Sequence, residues 1–239
     1  MDRDAFSLEA IESNMDEILK SFFNIPIYIE VAPFLLKGLL NTLLLSALVI
    51  PFGLASGLLV GVLSITLKRR WARALLAIYI DVFRALPPLV LLIFIYYGTP
   101  FLGWELPKLL AVVIGFMLNN SSYYGEIFRA GLESVPNGQI EAARSTGLSA
   151  TQTLIHIQIP QATRNVMPDL ISNTIEVIKL TTLASAVAMP ELLRVARDAQ
   201  SLFYNPSPIV LAAIFYLLLL WPLVRLLSRF EHKKMGGGH

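Results

Sequence analysis

Residues 38–67 read GLLNTLLLSALVIPFGLASGLLVGVLSITL, thirty residues without a charge. At about 1.5 Å of rise per residue, a helix of this length is more than enough to cross a hydrocarbon core of about 30 Å. Gly53, Gly57 and Gly61 recur every four residues, which places them on one helix face and lets a second helix approach closely. Pro51 predicts a kink whose freed carbonyl must be buried by protein. Lys68, Arg69, Arg70 and Arg73 follow at once. The stretch reads as a membrane span that ends on a basic side.

The rest of the chain has the same character. Of its 239 residues, 55% are hydrophobic and 15% charged, and the mean hydropathy is +0.64. A soluble domain of this composition would expose large apolar patches. Four further spans are predicted, at Ala74–Tyr97, Leu109–Gly125, Pro168–Met189 and Ile209–Leu227. The fold class is therefore all-α, with about five transmembrane helices. Lysine and arginine concentrate after the first span and after the fifth (Arg225, Arg229, Lys233, Lys234), whereas the loop after the second holds only Lys108. The positive-inside rule then sets the N-terminus outside and the C-terminus inside. Residues 1–33 form an acidic extracytoplasmic segment, amphipathic over residues 7–30 and interfacial over Phe23–Val31. Residues 34–230 form the membrane domain. The tail, 231–239, ends in Met235-Gly-Gly-Gly-His239 and reads in part as an artificial linker. The acidic start is the opposite of a cleavable basic leader.

Several chemistries are missing from the sequence. It contains no cysteine, no G-x-x-x-x-G-K-[ST] phosphate loop, no H-E-x-x-H zinc pair, no G-x-S-x-G elbow and no T-V-G-Y-G filter. The histidines are His156, His232 and His239, without ligand spacing. An enzyme acting alone is excluded, and nothing points to nucleic acid.

Against this background the polar stretch between the third and fourth spans stands out. It runs from Val135-Pro136-Asn137-Gly138 through Gln139-Ile140-Glu141-Ala142-Ala143-Arg144-Ser145-Thr146-Gly147 to Leu148-Ser149. The turn at Pro136–Gly138 predicts a short helix over Gln139–Thr146, C-capped by Gly147. Ser149 then caps a second helix that Pro160 ends. Small side chains at Ala142 and Ala143 beside Glu141 suit the close approach of another surface. A loop packed only on its own spans is the plainer alternative.

The string Glu141-Ala142-Ala143-x-x-x-Gly147, with Ile159-Pro160 downstream, resembles the EAA signature of membrane subunits of bacterial ATP-binding cassette importers. The wider pattern is similar to the polar amino acid uptake branch, which includes histidine, glutamine and arginine permeases. Gly38-Leu39-x-x-Thr42-Leu43, Arg84-Ala85-Leu86-Pro87-Pro88 and Glu126-Ile127-x-Arg129-Ala130-Gly131 extend the likeness over nearly the whole chain. The resemblance implies the type I importer membrane fold in the bacterial inner membrane. It implies a non-catalytic permease that forms the pathway for an amino acid, with residues 132–165 as the cytoplasmic coupling region. Glu141, Ala142, Ala143, Arg144 and Gly147 would dock on a separate ATPase. The implied partners are two ATPase subunits, which bind the ATP and Mg, a second permease, and a periplasmic or tethered substrate-binding protein. A heterodimer of permeases is favoured over a homodimer. This chain itself would hold no cofactor and no metal.

For the substrate pathway the sequence offers Asn119, Asn120, Ser122, Asn173, Glu176, Lys179 and Thr181, because polar groups inside a membrane are costly and face a cavity or a partner. Glu176 and Lys179, at i,i+3, either pair with each other or meet a ligand. Ile178-Lys179-Leu180-Thr181-Thr182 departs from the family pattern, with Leu180 where aspartate is usual. That argues against a cationic substrate in this subunit. The same machinery importing an opine-like or modified amino acid is the runner-up. An ion-coupled secondary transporter would call for inverted repeats, which the sequence does not show.

Overall fold

Helix α1 (Ile25–Thr66) begins at Asn24, whose side-chain oxygen accepts the Ile27 N–H at 3.3 Å. Pro26 lies in the first turn, where its missing N–H costs no hydrogen bond. The protein is described by a computed structural model that covers residues 15 and 17–236, with side chains to residue 228. Residues 17–22 are also helical, and the chain breaks at Phe23-Asn24 before α1. Much of the amphipathic helix expected over residues 7–30 lies outside the described residues. Of the stretch Phe23–Val31, expected at the interface, residues 25–31 are instead the first turns of α1.

After α1 come α2 (Arg70–Ala85), α3 (Pro88–Gly98), a 3-10 turn (Thr99–Leu102) and α4 (Lys108–Glu133). The polar stretch supplies α5 (Asn137–Ser145), α6 (Ala150–Thr153), a π-helical turn (Leu154–Gln158) and α7 (Ile159–Asn165). The chain ends with α8 (Met167–Leu180), a 3-10 segment (Thr181–Val187), α9 (Leu192–Phe203) and α10 (Ser207–Gly236). No strand occurs among the described residues.

Among the described residues, three helical stretches are long and apolar enough to cross a membrane: Glu17–Thr66, Met167–Val187 and Ser207–Ser228. The second predicted span differs from its expectation. It is not one helix over Ala74–Tyr97 but two, α2 and α3, bent by 100° at Leu86-Pro87. The residue before a proline is pushed out of the helical region, and Leu86 and Pro87 both precede one. Both are extended, with ψ of 124° and 131°.

Helix α4 is long enough to span but carries a polar run, and it lies at the centre of the bundle. The glycine face of α1 packs on it. A Cβ at Gly57 would overlap the Cβ of Tyr124, one at Gly61 would lie 2.7 Å from the Phe128 Cβ, and one at Gly125 of α4 would run into Val60. The core forms around this seam from Leu45, Val49, Phe116, Tyr124, Phe128 and Val177. A second cluster joins the first half of α1 to α9 and α10 through Val31, Leu35, Leu192, Ala196, Leu211 and Ala212.

Gly57→Ala should lower the thermal unfolding midpoint of the detergent-solubilised protein by more than about 5 °C, the scale of an overpacked interior. Gly98→Ala, with open space around the position, serves as the control and should leave the midpoint unchanged. Fluorescence-detected size exclusion after heating checks both, and equal midpoints for the two variants would contradict the close seam.

Candidate functional site

The polar stretch folds into two short helices held at both ends. Helix α5 starts at Pro136 and closes on Gly147, whose φ of +90° is the left-handed conformation that glycine adopts without strain. The Gly147 N–H donates to the Arg144 carbonyl and the Leu148 N–H to the Ala143 carbonyl, at 3.1 and 3.3 Å. This paired arrangement is a Schellman cap, and it turns the chain back sharply. Ser149 then caps α6: its hydroxyl accepts the Gln152 N–H at 3.2 Å while the Gln152 side chain accepts the Ser149 N–H at 2.8 Å.

One expectation in this region needs correcting. Pro160 does not end the second helix, which continues through α7 to Asn165. The widened π turn just before it re-routes the backbone hydrogen bonding that a proline interrupts.

The knob is fixed to the ends of α1 and α4. Leu132, Val135 and Ala162 are buried together against Val62, Ile65 and Ile140. Of the expected coupling residues, Ala143 faces inward at 8% exposure. Glu141, Ala142, Arg144 and Gly147 are exposed. The Arg144 guanidinium donates to the Leu148 carbonyl at 2.7 Å and so ties down the turn. The Glu141 carboxylate has no partner among the described residues. The outcome is a rigid, locally capped helix that presents one unpaired acid and a small side chain outward. Nearby, Ile140, Arg144, Thr151 and Gln158 help line a groove of about 390 Å³.

The expected pathway residues divide into two groups. Asn119, Asn120, Ser122 and Thr181 are fully or almost fully buried and serve the fold. Asn119 donates to the Phe83 carbonyl at 2.8 Å, at the end of α2, while Asn120, Ser122 and Thr181 donate to carbonyls of their own helical segment. Asn173 is half-buried next to Thr174, whose hydroxyl lies 2.8 Å from that of Tyr124. Asn119 Oδ1 and Asn173 Nδ2 are the buried side-chain atoms without a hydrogen-bond partner among the described residues. Each such atom costs about 1–3 kcal/mol.

Glu176 and Lys179 form the second group. They pair at 2.6 Å, and both side chains are about half exposed. With Asp169 and Ser172, which the sequence reading did not single out, they make a polar stripe along the open face of α8. The 3-4-3 spacing of these four residues was the available signal.

A further polar node was not anticipated. Glu191 is fully buried at the start of α9, where its carboxylate accepts the Leu193 and Arg194 N–H groups at 2.8 and 2.7 Å. Tyr216 of α10 donates to it at 3.0 Å, and Thr42 of α1 accepts the adjacent Leu192 N–H at 3.1 Å. The carboxylate thus ties α9 to α10, and the neighbouring Leu192 N–H ties α9 to α1. Its position just after Pro190 was the only sequence hint. Burial raises the Glu191 pKa above its ordinary value of 4.5, against the lowering pull of those donors and of Arg197. Among the described residues no group of three or more histidine, aspartate or glutamate side chains forms a metal site.

Residues 50–235 match the binding-protein-dependent transport system inner membrane component family. Among curated relatives, a probable amino-acid ABC transporter permease, YckA of Bacillus subtilis, is 38% identical over 73% of this chain and 77% of its own length. A probable glutamine permease of the same organism, GlnP, is 36% identical over 77% of this chain and 85% of its own. A solved amino acid ABC transporter superposes with a TM-score of 0.76 at 32% identity, covering 86% of this chain and 96% of the other. The inward-facing methionine transporter MetNI shares the fold, with a TM-score of 0.73 at 19% identity over 84% of this chain and 95% of its own.

A raised carboxylate pKa gives stability that is full below the ordinary value and is lost as pH rises through the folded value. The advantage of wild type over Glu191→Gln in thermal midpoint should therefore narrow as pH rises above 4.5. A difference that stays constant as pH rises would show that the charge of Glu191 is not what is sensed.

Proposed function

We propose a function from one premise: this chain belongs to the family of binding-protein-dependent transport system inner membrane components. It is the permease subunit of an ATP-driven importer and, with a second permease, encloses the pathway for an amino acid. Its N-terminus lies outside and its C-terminus inside. The names of the relatives, an amino-acid and a glutamine permease, support the substrate class. A substrate-binding protein delivers the ligand, and two separate ATPase subunits bind ATP and Mg.

The observation that carries this reading is the capped helix α5. A helix that transmits force must be stiff, anchored to the spans, and open on the side where the motor docks. The Schellman cap at Gly147 and the capping box at Ser149 supply the stiffness. Packing of the partly buried Ile140 with Leu132 of α4 and Val62 and Ile65 of α1 supplies the anchor, and Ala143 faces inward. Glu141 and Ala142 supply the open face, with an acid free to meet a basic group or helix N-terminus of the ATPase.

The stripe Asp169, Ser172, Glu176 and Lys179 supports a pathway or a permease partner on the open face of α8, since lipid would tolerate such a stripe only at a high cost. Lys179 already neutralises Glu176, and Leu180 stands where an acid would recruit a cation. Both features favour a substrate with no net charge. Closure of the ATPases would then drive α5, and through α4 and α8 the wall of this pathway.

Glu141→Lys and Gly147→Asp should each leave the protein inserted and assembled but cut binding-protein-dependent uptake in proteoliposomes at least about tenfold, the effect of about 1.4 kcal/mol at the docking surface. ATP hydrolysis would lose its stimulation by loaded binding protein. Wild-type uptake by either variant would defeat the assignment of α5 to coupling.

A further inference from the structure

We propose that the cavity between α1, α2 and α4 is a binding site for a compact zwitterion, its anionic end held by Arg84 and its ammonium by Asp81. The cavity measures about 310 Å³ and is lined by Ser64, Arg73, Asp81, Arg84, Glu126 and Arg129, among others. It adjoins a second opening of about 440 Å³ that shares Asp81 and Arg84 and adds Tyr123. The site lies apart from the stripe on α8 and from the coupling helix. It rests on the amino acid reading only for the identity of a free ligand.

The charges in the cavity are unequally satisfied. Arg129 is engaged through all three nitrogens: Nε and Nη2 donate to Glu126 at 3.0 Å each, and Nη1 to Glu133 at 2.8 Å. Glu126 is correspondingly occupied. Arg73 donates to the Leu67 carbonyl at the end of α1, at 3.2 Å. Arg84 makes no guanidinium hydrogen bond among the described residues. It lies 3.7 Å from a Glu126 oxygen already engaged by Arg129, and 5.6 Å above the Tyr123 ring, which holds it in place. Asp81 has no hydrogen-bond or ion-pair partner among the described residues.

What remains is one carboxylate and one under-used guanidinium, a single helical turn apart on α2 and aimed into the same space. Side chains at i,i+3 are neighbours on a helix, yet these two do not pair. An anion alone would meet Asp81 and Glu126, and a cation alone would meet three arginines. A molecule carrying both charges a few ångströms apart satisfies both poles, with bidentate geometry at the guanidinium. A free α-amino acid has this chemistry, and so does the headgroup of phosphatidylethanolamine.

The test uses the assembled transporter in nanodiscs without its binding protein, titrated with L-glutamine, N-acetyl-L-glutamine and L-glutamine methyl ester. In wild type, blocking either the amino or the carboxyl group should weaken binding at least about tenfold. Asp81→Asn, an isosteric change at an unpartnered side chain, should remove the penalty for N-acetylation and keep that for the ester. Arg84→Lys should lower the penalty for the ester and keep that for acetylation.

A parallel arm compares nanodiscs of phosphatidylcholine alone with nanodiscs containing phosphatidylethanolamine, with retained lipid read by native mass spectrometry. Loss of retained phosphatidylethanolamine in Asp81→Asn, with glutamine binding abolished whenever that lipid is present, supports the zwitterion site and makes a lipid its occupant. Unchanged ratios in both variants, or no binding of either probe to wild type, would overturn the proposal. So would failure of Asp81→Asn to assemble with its partner subunits, since Asp81 would then be a subunit contact. Uptake by the wild-type transporter, measured separately, reports on the amino acid reading itself, so the two failures remain distinct.

Discussion

The close approach of α1 to α4 is the contact on which the rest of the molecule depends. Gly57 and Gly61 of α1 and Gly125 of α4 leave no room for a Cβ, so each backbone lies against the other's side chains. In lipid no hydrophobic effect drives helices together, and dispersion across a tight seam has to do so. This seam sets the position of Tyr124 and Phe128, which the core then surrounds. It also sets the position of the polar run Asn119–Ser122, enclosed where its groups reach carbonyls instead of hydrocarbon.

From this seam the chain is organised toward two ends. At one end, α1 and α4 stop together and carry the knob formed by α5 to α7. At the other, α9 crosses the first half of α1 and is tied to α10 by the carboxylate of Glu191. Both ends use short polar devices on backbone groups: a Schellman cap and a capping box at the first, a buried glutamate at the second. Isolated N–H and C=O groups are expensive near a membrane, so short helices there need firm caps. The broken pair α2–α3 is the exception to this stiffness. Two consecutive prolines hold it open next to the ion network of Arg84, Glu126 and Arg129.

Much of this was legible in the residues. The glycine spacing announced a helix seam, the uncharged stretches announced spans, and Gly147 and Ser149 announced caps that the structure contains. The turn and cap signals placed the short helix, expected over Gln139–Thr146, within two residues of the observed bounds of α5. Partnerships between distant residues were not legible. Asn119 looked like a pathway residue because its polarity is visible in the sequence, whereas its bond to the Phe83 carbonyl, 36 positions away, is not. Nothing in the spacing of Glu191 told that Tyr216 and two backbone donors would close around it. Pro87 and Pro88 signalled a disturbance, but not whether the chain would kink or turn through 100°.

By itself the sequence determined the membrane class, the family, the helical seam and the capped helix α5, because each of these rests on composition or on spacing of residues close in the chain. Tertiary structure decided which polar groups are spent on the fold and which stay open. Asn120, Ser122 and Thr181 are satisfied inside the bundle. The carboxylates of Asp81 and Glu141 have no partner among the described residues, because no element packs over them. Polarity belongs to a residue, but its satisfaction depends on neighbours that only the folded chain brings together.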